Sequence, residues 1–337
     1  MPAPTTATTP KTIGNYGGPD GRLRPTGLGD ERMSRTVEYK FRYLDVCNMC
    51  GSHTDNHRVL GRRLNTRQGL RPQKKVAIAT TVLRCAQCGL IYAQPMPVPM
   101  SVQQHYGTLP ESYWNKRYFT LDANYLNGQL KQFESLYGRT IRGANLTALD
   151  VGAGIGKAMR ALSSAGFDAY GVEPSEQFHK RAIDKMEVSE RRLKLTTIEE
   201  ANFEEASFDF INMAAVVEHL YDPSAVIQKA VRWLRPGGLI HIEVPCSDYL
   251  MSTLARQFYR WTGSDYVTNI CPMHAPYHLF EFTRQSFMLH ANLHHYRIAH
   301  YQYYVCESYM PRLIKPLFNL VMKLSNTGMQ LAIWLTK

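Results

Sequence analysis

The stretch Leu149-Asp150-Val151-Gly152-Ala153-Gly154-Ile155-Gly156 constrains this chain more than any other. Thr147 to Val151 read as a short buried strand, and the glycines after it let the backbone turn sharply into a helix beginning near Lys157. Without Cβ atoms, those glycines admit a ligand close to the backbone, and the N–H groups of the helix start point toward it. A second strand, Asp168 to Val172, ends at Glu173, where an acidic side chain is placed to take two ribose hydroxyls. Two strand ends therefore face one nucleotide-like ligand. A dinucleotide fingerprint is G-x-G-x-x-G/A, but here the third glycine comes one position early and Lys157 stands where the last would fall. That spacing disfavours NAD.

Further motifs follow in order. Ser207 to Met213 reads as another strand and is followed by Val217-Glu218-His219-Leu220-Tyr221-Asp222-Pro223. Leu234-Arg235-Pro236-Gly237-Gly238 then leads into a strand over Leu239 to Pro245. Jointly with the glycine turn, these segments resemble the class I S-adenosylmethionine (SAM) methyltransferases. The alternative is a glycine-punctuated α/β domain without a cofactor. The resemblance implies an α/β fold, Rossmann-like and doubly wound, with a mainly parallel seven-stranded sheet. It also implies that Asp150, Gly152, Gly154, Gly156 and Glu173 hold SAM, with Ile198 at the adenine and Asn212 at the end of the fourth strand. Glu199 is either an adenine contact or a surface residue. The N/D-P-P-Y/F motif of base-methylating enzymes is absent after Asn212, which lowers that reading.

Upstream, Cys47-Asn48-Met49-Cys50 and Cys85-Ala86-Gln87-Cys88 form two C-x-x-C knuckles. Four thiolates so arranged suit a tetrahedral, structural Zn²⁺ with no position left for water, although a redox pair or disulfides offer the same count. Val76, Ile78, Val82 and Leu83 suit the strands of a small zinc ribbon over residues 37–100. With Gly89-Leu90-Ile91-Tyr92 and Pro95-Met96-Pro97 it resembles the ribbon preceding the SAM domain in a subgroup that includes sugar C-methyltransferases. Cys246, Cys271 and Cys306 read as small core residues.

Residues 1–36, rich in Pro, Thr and Gly, suit a flexible tail. Residues 101–145 form a helical, aromatic linker that in the resembled enzymes packs over the cofactor; Tyr106 and Tyr113 are its candidate pocket residues, though most of its rings suit plain packing. The SAM domain is expected over 146–304, with Ser175, Asp222 and Thr283 as helix caps and Pro223 at a first helical position. Glu218 and His219 fall where the methyl acceptor approaches. Imidazole titrates near neutral pH, so His219 suits a base, yet the same pattern also serves family members in which it only shapes the pocket. His278 is a second acceptor-binding candidate. It is four residues from His274, but Pro276 between them breaks a helical metal pair.

The resemblance fades near Ala299. The second of the family's two final strands is hard to find, and 305–337 reads as an apolar helical segment. It packs on the sheet or in an oligomer interface, or its residues 313–337 lie on a membrane surface. At 337 residues and 44% hydrophobic, the chain can bury a proper core. It shows no secretory run and no bilayer-length apolar stretch, so cytoplasmic is the default expectation. The net charge of +11 suits an anionic partner without selecting one. The leading expectation is SAM-dependent methyl transfer to oxygen or carbon of a sugar-like small molecule, free or nucleotide-linked. RNA methylation through a zinc-ribbon binding module and a non-catalytic SAM-binding scaffold are the alternatives.

Overall fold

The computed structural model of the protein describes residues 38–65, 78–106, 109–113, 116–120, 122, 124–268, 270, 278–304 and 315–337. The tail expected over residues 1–36 lies outside them, as do Val76, Cys271, His274, Pro276, Tyr277 and Cys306.

Five strands come first: β1 (Tyr39–Arg42), β2 (Arg58–Asn65), β3 (Ile78–Arg84), β4 (Ile91–Gln94) and β5 (Met96–Pro99). The linker contributes α1 (Val102–Tyr106), α2 (Pro110–Tyr113) and α3 (Asn127–Tyr137). Alternation then begins: β6 (Thr147–Val151), α4 (Lys157–Ala165), β7 (Asp168–Glu173), α5 (Glu176–Met186), β8 (Leu193–Leu195) and β9 (Phe208–Ala214). The chain ends with α6 (Pro223–Trp233), β10 (Leu234–Pro245), α7 (Leu250–Trp261), β11 (Phe280–Glu281), α8 (Arg284–His294), β12 (Arg297–Tyr304), α9 (Lys315–Ser325) and β13 (Gln330–Thr336). The caps fall as their chemistry requires. The hydroxyl of Ser175 accepts from Phe178 N–H, the Asp222 carboxylate accepts from Ala225 N–H with Pro223 opening α6, and Thr283 forms a reciprocal capping box with Ser286.

The main sheet has seven strands in the order β12-β13-β10-β9-β6-β7-β8. β8, β7, β6, β9 and β10 run parallel, while β13 is antiparallel to both of its neighbours. Strand order reverses between β7 and β9 on either side of β6, and the crevice at that switch point is where open α/β sheets take ligands. Asp209 ties the opposite end of the sheet: buried, it accepts from Thr147 N–H, Tyr137 hydroxyl and Arg235.

The C-terminus corrects one expectation. The described residues 315–337 are not helical throughout: α9 is followed by β13, which inserts between β10 and β12 and completes the sheet. Leu331, Ile333 and Leu335 are fully buried on one face and Trp334 on the other, where its ring stacks on Phe210 at 5.8 Å. Residues 330–336 are therefore sheet interior and unavailable to a membrane surface. Within 313–337, it is α9 that turns apolar side chains outward, at Leu317, Leu320 and Leu324. Among the described residues no helix is long and apolar enough to cross a membrane.

The ribbon is not a separate bead. Cys47, Met49, Cys85, Cys88, Leu90 and Tyr92 share one continuous core with Val151, Ile198, Ile242 and Phe287. Its four-stranded sheet, β11-β4-β3-β2, takes its edge strand from far downstream: β11 pairs antiparallel with β4, Phe280 opposite Tyr92.

At the base of α8, the fully buried His290 sits between the Tyr296 hydroxyl and the Ser224 hydroxyl, each 2.8 Å from a ring nitrogen. Burial, with His294 adding to it, lowers its pKa from 6.5 to about 3. The unfolded chain thus takes up a proton below about pH 6.5 that the folded chain refuses, so stability falls as pH drops from there toward 3. Between pH 7 and 5 this group alone is expected to remove about 2 kcal/mol. Urea midpoints at the two pH values for wild type and His290→Gln measure it; equal pH dependence in both would refute it.

Candidate active site

The glycine turn follows β6 because only glycine suits it. Gly152, Gly154 and Gly156 all have positive φ, of +67°, +57° and +80°. A Cβ on Gly152 would lie 2.7 Å from Val216, and one on Gly156 would lie 2.4 Å from Val188. The turn therefore nests against the segment after β9 on one side and the end of α5 on the other. Across it, the Glu173 carboxylate accepts from Gly154 N–H at 2.7 Å and from Ser175 N–H at 2.8 Å. These bonds fix the acid that closes β7 over the first glycine-rich loop. Burial pushes its pKa up to about 7, against the pull of those two N–H groups.

Asp150 is also buried, which raises its pKa to about 7, and it accepts from the Asn212 amide at 2.7 Å. The Asn212 carbonyl meets His241 Nδ1 at 2.9 Å, His241 Nε2 lies 3.4 Å from Glu243, and Gln129 of α3 donates to Glu243 at 3.0 Å. A polar chain thus crosses β6, β9 and β10 beneath the crevice.

The linker closes over the turn. Gln103 donates to Pro174 carbonyl and accepts from Glu176 N–H, and the Ser175 hydroxyl donates to Tyr106 carbonyl. The Tyr118 hydroxyl lies 3.2 Å from where a Gly154 Cβ would be. Lys157 donates to Tyr118 carbonyl, with its ammonium 5.2 Å and 4.6 Å from the Tyr118 and Tyr125 ring centres.

Beside the turn, a single helical turn over Val217–His219 presents the acceptor candidates. Glu218 is 2% exposed; one of its oxygens is 3.6 Å from His278 Nε2 and 4.0 Å from His219 Nε2, and the other has no hydrogen-bond partner among the described residues. Burial raises its pKa to about 8, and burial also holds His278 well below the ordinary histidine value. The two imidazoles meet edge to face at 5.2 Å. The backbone locks this meeting, for Leu279 N–H donates to the Glu218 carbonyl and Ala93 N–H of the ribbon donates to the Leu279 carbonyl.

In the ribbon, Cys47 Sγ is 3.5 Å from Cys88 Sγ and Cys50 Sγ is 3.6 Å from Cys85 Sγ, with all four sulfurs within 4.8 Å of one another. Sulfurs around a tetrahedral metal sit about 3.8 Å apart, whereas a disulfide needs about 2 Å, so the donor set fits a metal. A hydrogen bond from Cys88, opposed by burial, draws the Cys47 thiol down to about 5. Ser52 hydroxyl, 3.2 Å from two of the sulfurs, is held by His57, which is held in turn by Tyr92 hydroxyl.

Residues 149–242 match the family model of a methyltransferase domain, from the strand before the glycine turn to the middle of β10. That stretch is thus similar to a methyltransferase domain. The chain is similar to ubiquinone biosynthesis O-methyltransferases, at 27% identity over 134 residues for that of Methylococcus capsulatus (38% of this chain, 54% of the relative). For that of Coxiella burnetii the identity is 27% over 174 residues (50% and 69%). The match thus spans about half to two thirds of these relatives. A SAM-dependent methyltransferase of solved structure from Mesorhizobium loti is 14% identical, with a TM-score of 0.44, covering 64% of this chain and 98% of its own.

The structure brings the glycine turn and Glu173 together, and it brings Glu218, His219 and His278 together. Both ends of the Asn212 amide are engaged, by Asp150 and by His241. Ile198 is buried in the main core one step past β8. Tyr106 meets the site through its carbonyl, and the Tyr113 side chain lies outside the described residues. Tyr118 stands against the turn, and Lys157 joins it to Tyr125. In the sequence the two tyrosines are simply among the linker's many aromatic residues, and the lysine stands at the place of a fingerprint glycine.

Proposed function

We propose that the chain transfers the methyl group of SAM to a hydroxyl or carbon of a small, polar, sugar-like acceptor, free or nucleotide-linked, and holds a structural zinc in its four-cysteine ribbon. The observation that carries this reading is the meeting of Glu218 and His219 with His278 from the ribbon's edge, next to the turn that cradles the cofactor. SAM, when bound, supplies an electrophilic methyl on a sulfonium. Glu173 would take the ribose hydroxyls and the glycine turn would pass close to the amino-acid end. Transfer is an in-line displacement, so the remaining work is to aim the acceptor and remove its proton. His219 and His278 would aim the acceptor, with His219, the less buried of the two beside Glu218, placed to take its proton. The O-methyltransferase names of the relatives support oxygen as the receiving atom. Calorimetry with SAM and S-adenosylhomocysteine, then an acceptor screen beginning with nucleotide sugars, tests the reading: binding of both and turnover with a sugar hydroxyl are expected. Folded protein that binds neither would end it.

A further inference from the structure

The acceptor trio also has the composition of a metal site. Glu218, His219 and His278 each offer one ligand atom, and those atoms lie within 4.8 Å of one another. Ligands at about 2.1 Å around a tetrahedral divalent ion stand about 3.4 Å apart. The separations of 3.6 Å and 4.0 Å from the Glu218 oxygen thus close by small side-chain movements. The carboxylate is 2% exposed and its second oxygen has no hydrogen-bond partner among the described residues. A buried carboxylate with an unpartnered oxygen is costly, and a divalent ion shared with the two imidazoles would relieve that cost. The chain also invests in the arrangement. His278 comes from a segment 59 positions beyond His219 and is fixed by the Leu279 N–H bond to Glu218 carbonyl and by β11 on the ribbon sheet.

We propose that Glu218, His219 and His278 bind a second, divalent metal ion, distinct from the ion of the four-cysteine ribbon, and that this ion receives the acceptor's oxygen. The proposal rests on the methyl-transfer reading and narrows it to hydroxyl acceptors. Two histidines and one carboxylate suit a first-row ion or zinc and leave positions open for one or two acceptor oxygens, as a vicinal diol presents. The bound hydroxyl releases its proton to solvent. Its oxygen lone pair then forms the bond to the SAM methyl carbon, and the electron pair of the breaking carbon–sulfur bond returns to sulfur, giving a methyl ether and S-adenosylhomocysteine.

The test counts metal. Full-length protein is equilibrated with excess Zn²⁺, desalted and analysed for metal per chain, then repeated with Co²⁺ and read by absorption. Wild type should hold two equivalents, the first giving intense thiolate charge transfer and the second only weak visible bands. Glu218→Gln and His278→Ala should each retain the thiolate signal and lose the second equivalent, whereas Cys85→Ser should lose the thiolate signal. One equivalent in wild type overturns the site, whatever the variants do, as does a second equivalent that survives both Glu218→Gln and His278→Ala. SAM calorimetry on the same samples separates the two readings: two metals without SAM binding sinks methyl transfer and leaves the metal site standing, and one metal with SAM binding does the reverse.

Discussion

Glu173→Ala is expected to weaken SAM binding at least a hundredfold while leaving a folded protein. The carboxylate accepts from Gly154 and Ser175 N–H at 2.7 Å and 2.8 Å, so its removal strands two donors at the floor of the crevice. It also removes the acceptor for the ribose hydroxyls. The unpaired donors weaken the fold equally with and without ligand, whereas two lost hydrogen bonds from ribose to a carboxylate, about 1.5–3 kcal/mol each, are already two orders of magnitude in affinity. The fold survives because the β-sheet registers around Glu173 are made by backbone. Glu173→Gln should fall between the two, since its amide can accept one bond but sets an NH₂ against the other donor. Titration calorimetry decides it, and an alanine variant binding SAM as wild type does would remove Glu173 from the cofactor site.

The second large effect is expected from Cys85→Ser. Metal binding in small cysteine-rich modules is folding free energy, about 10–16 kcal/mol for zinc-finger peptides, and loss of one thiolate forfeits much of it. Here the damage should travel. Thr283 hydroxyl donates to Cys88 carbonyl at 2.6 Å and Ser247 hydroxyl donates to Gly89 carbonyl, so the knuckle holds both ends of the walls around His278. The variant is expected to lose ribbon metal, to melt earlier and to lose turnover, while SAM affinity stays within about threefold because the glycine turn and Glu173 are held to each other by main-sheet residues and not by the knuckles. Equal loss of SAM affinity would show that the ribbon supports the whole domain rather than the acceptor side.

These effects trace back to how the chain could be read. The glycine turn, Glu173 and the two cysteine knuckles were legible because each depends on local backbone chemistry: positive φ, a strand end, a two-residue loop between thiols. β13 was not, because Leu331 to Leu335 are buried on both faces of the sheet and so show neither helical nor alternating periodicity. The part played by Asn212 was hidden for a different reason. Its partners Asp150 and His241 lie on neighbouring strands, and sequence spacing says nothing about which side chains meet across a sheet. Proximity of His278 to Glu218 rests likewise on β11 joining a sheet whose other strands were made almost 200 residues earlier.

That shared sheet also limits how such a protein can be rebuilt. A ribbon whose edge strand belongs to the catalytic half cannot be deleted, exchanged or expressed as an independent module without leaving a raw edge on both fragments. Altering acceptor choice by swapping the loop before β11 would require transplanting β4 with it, and recombination between relatives would be tolerated only where both pieces travel together.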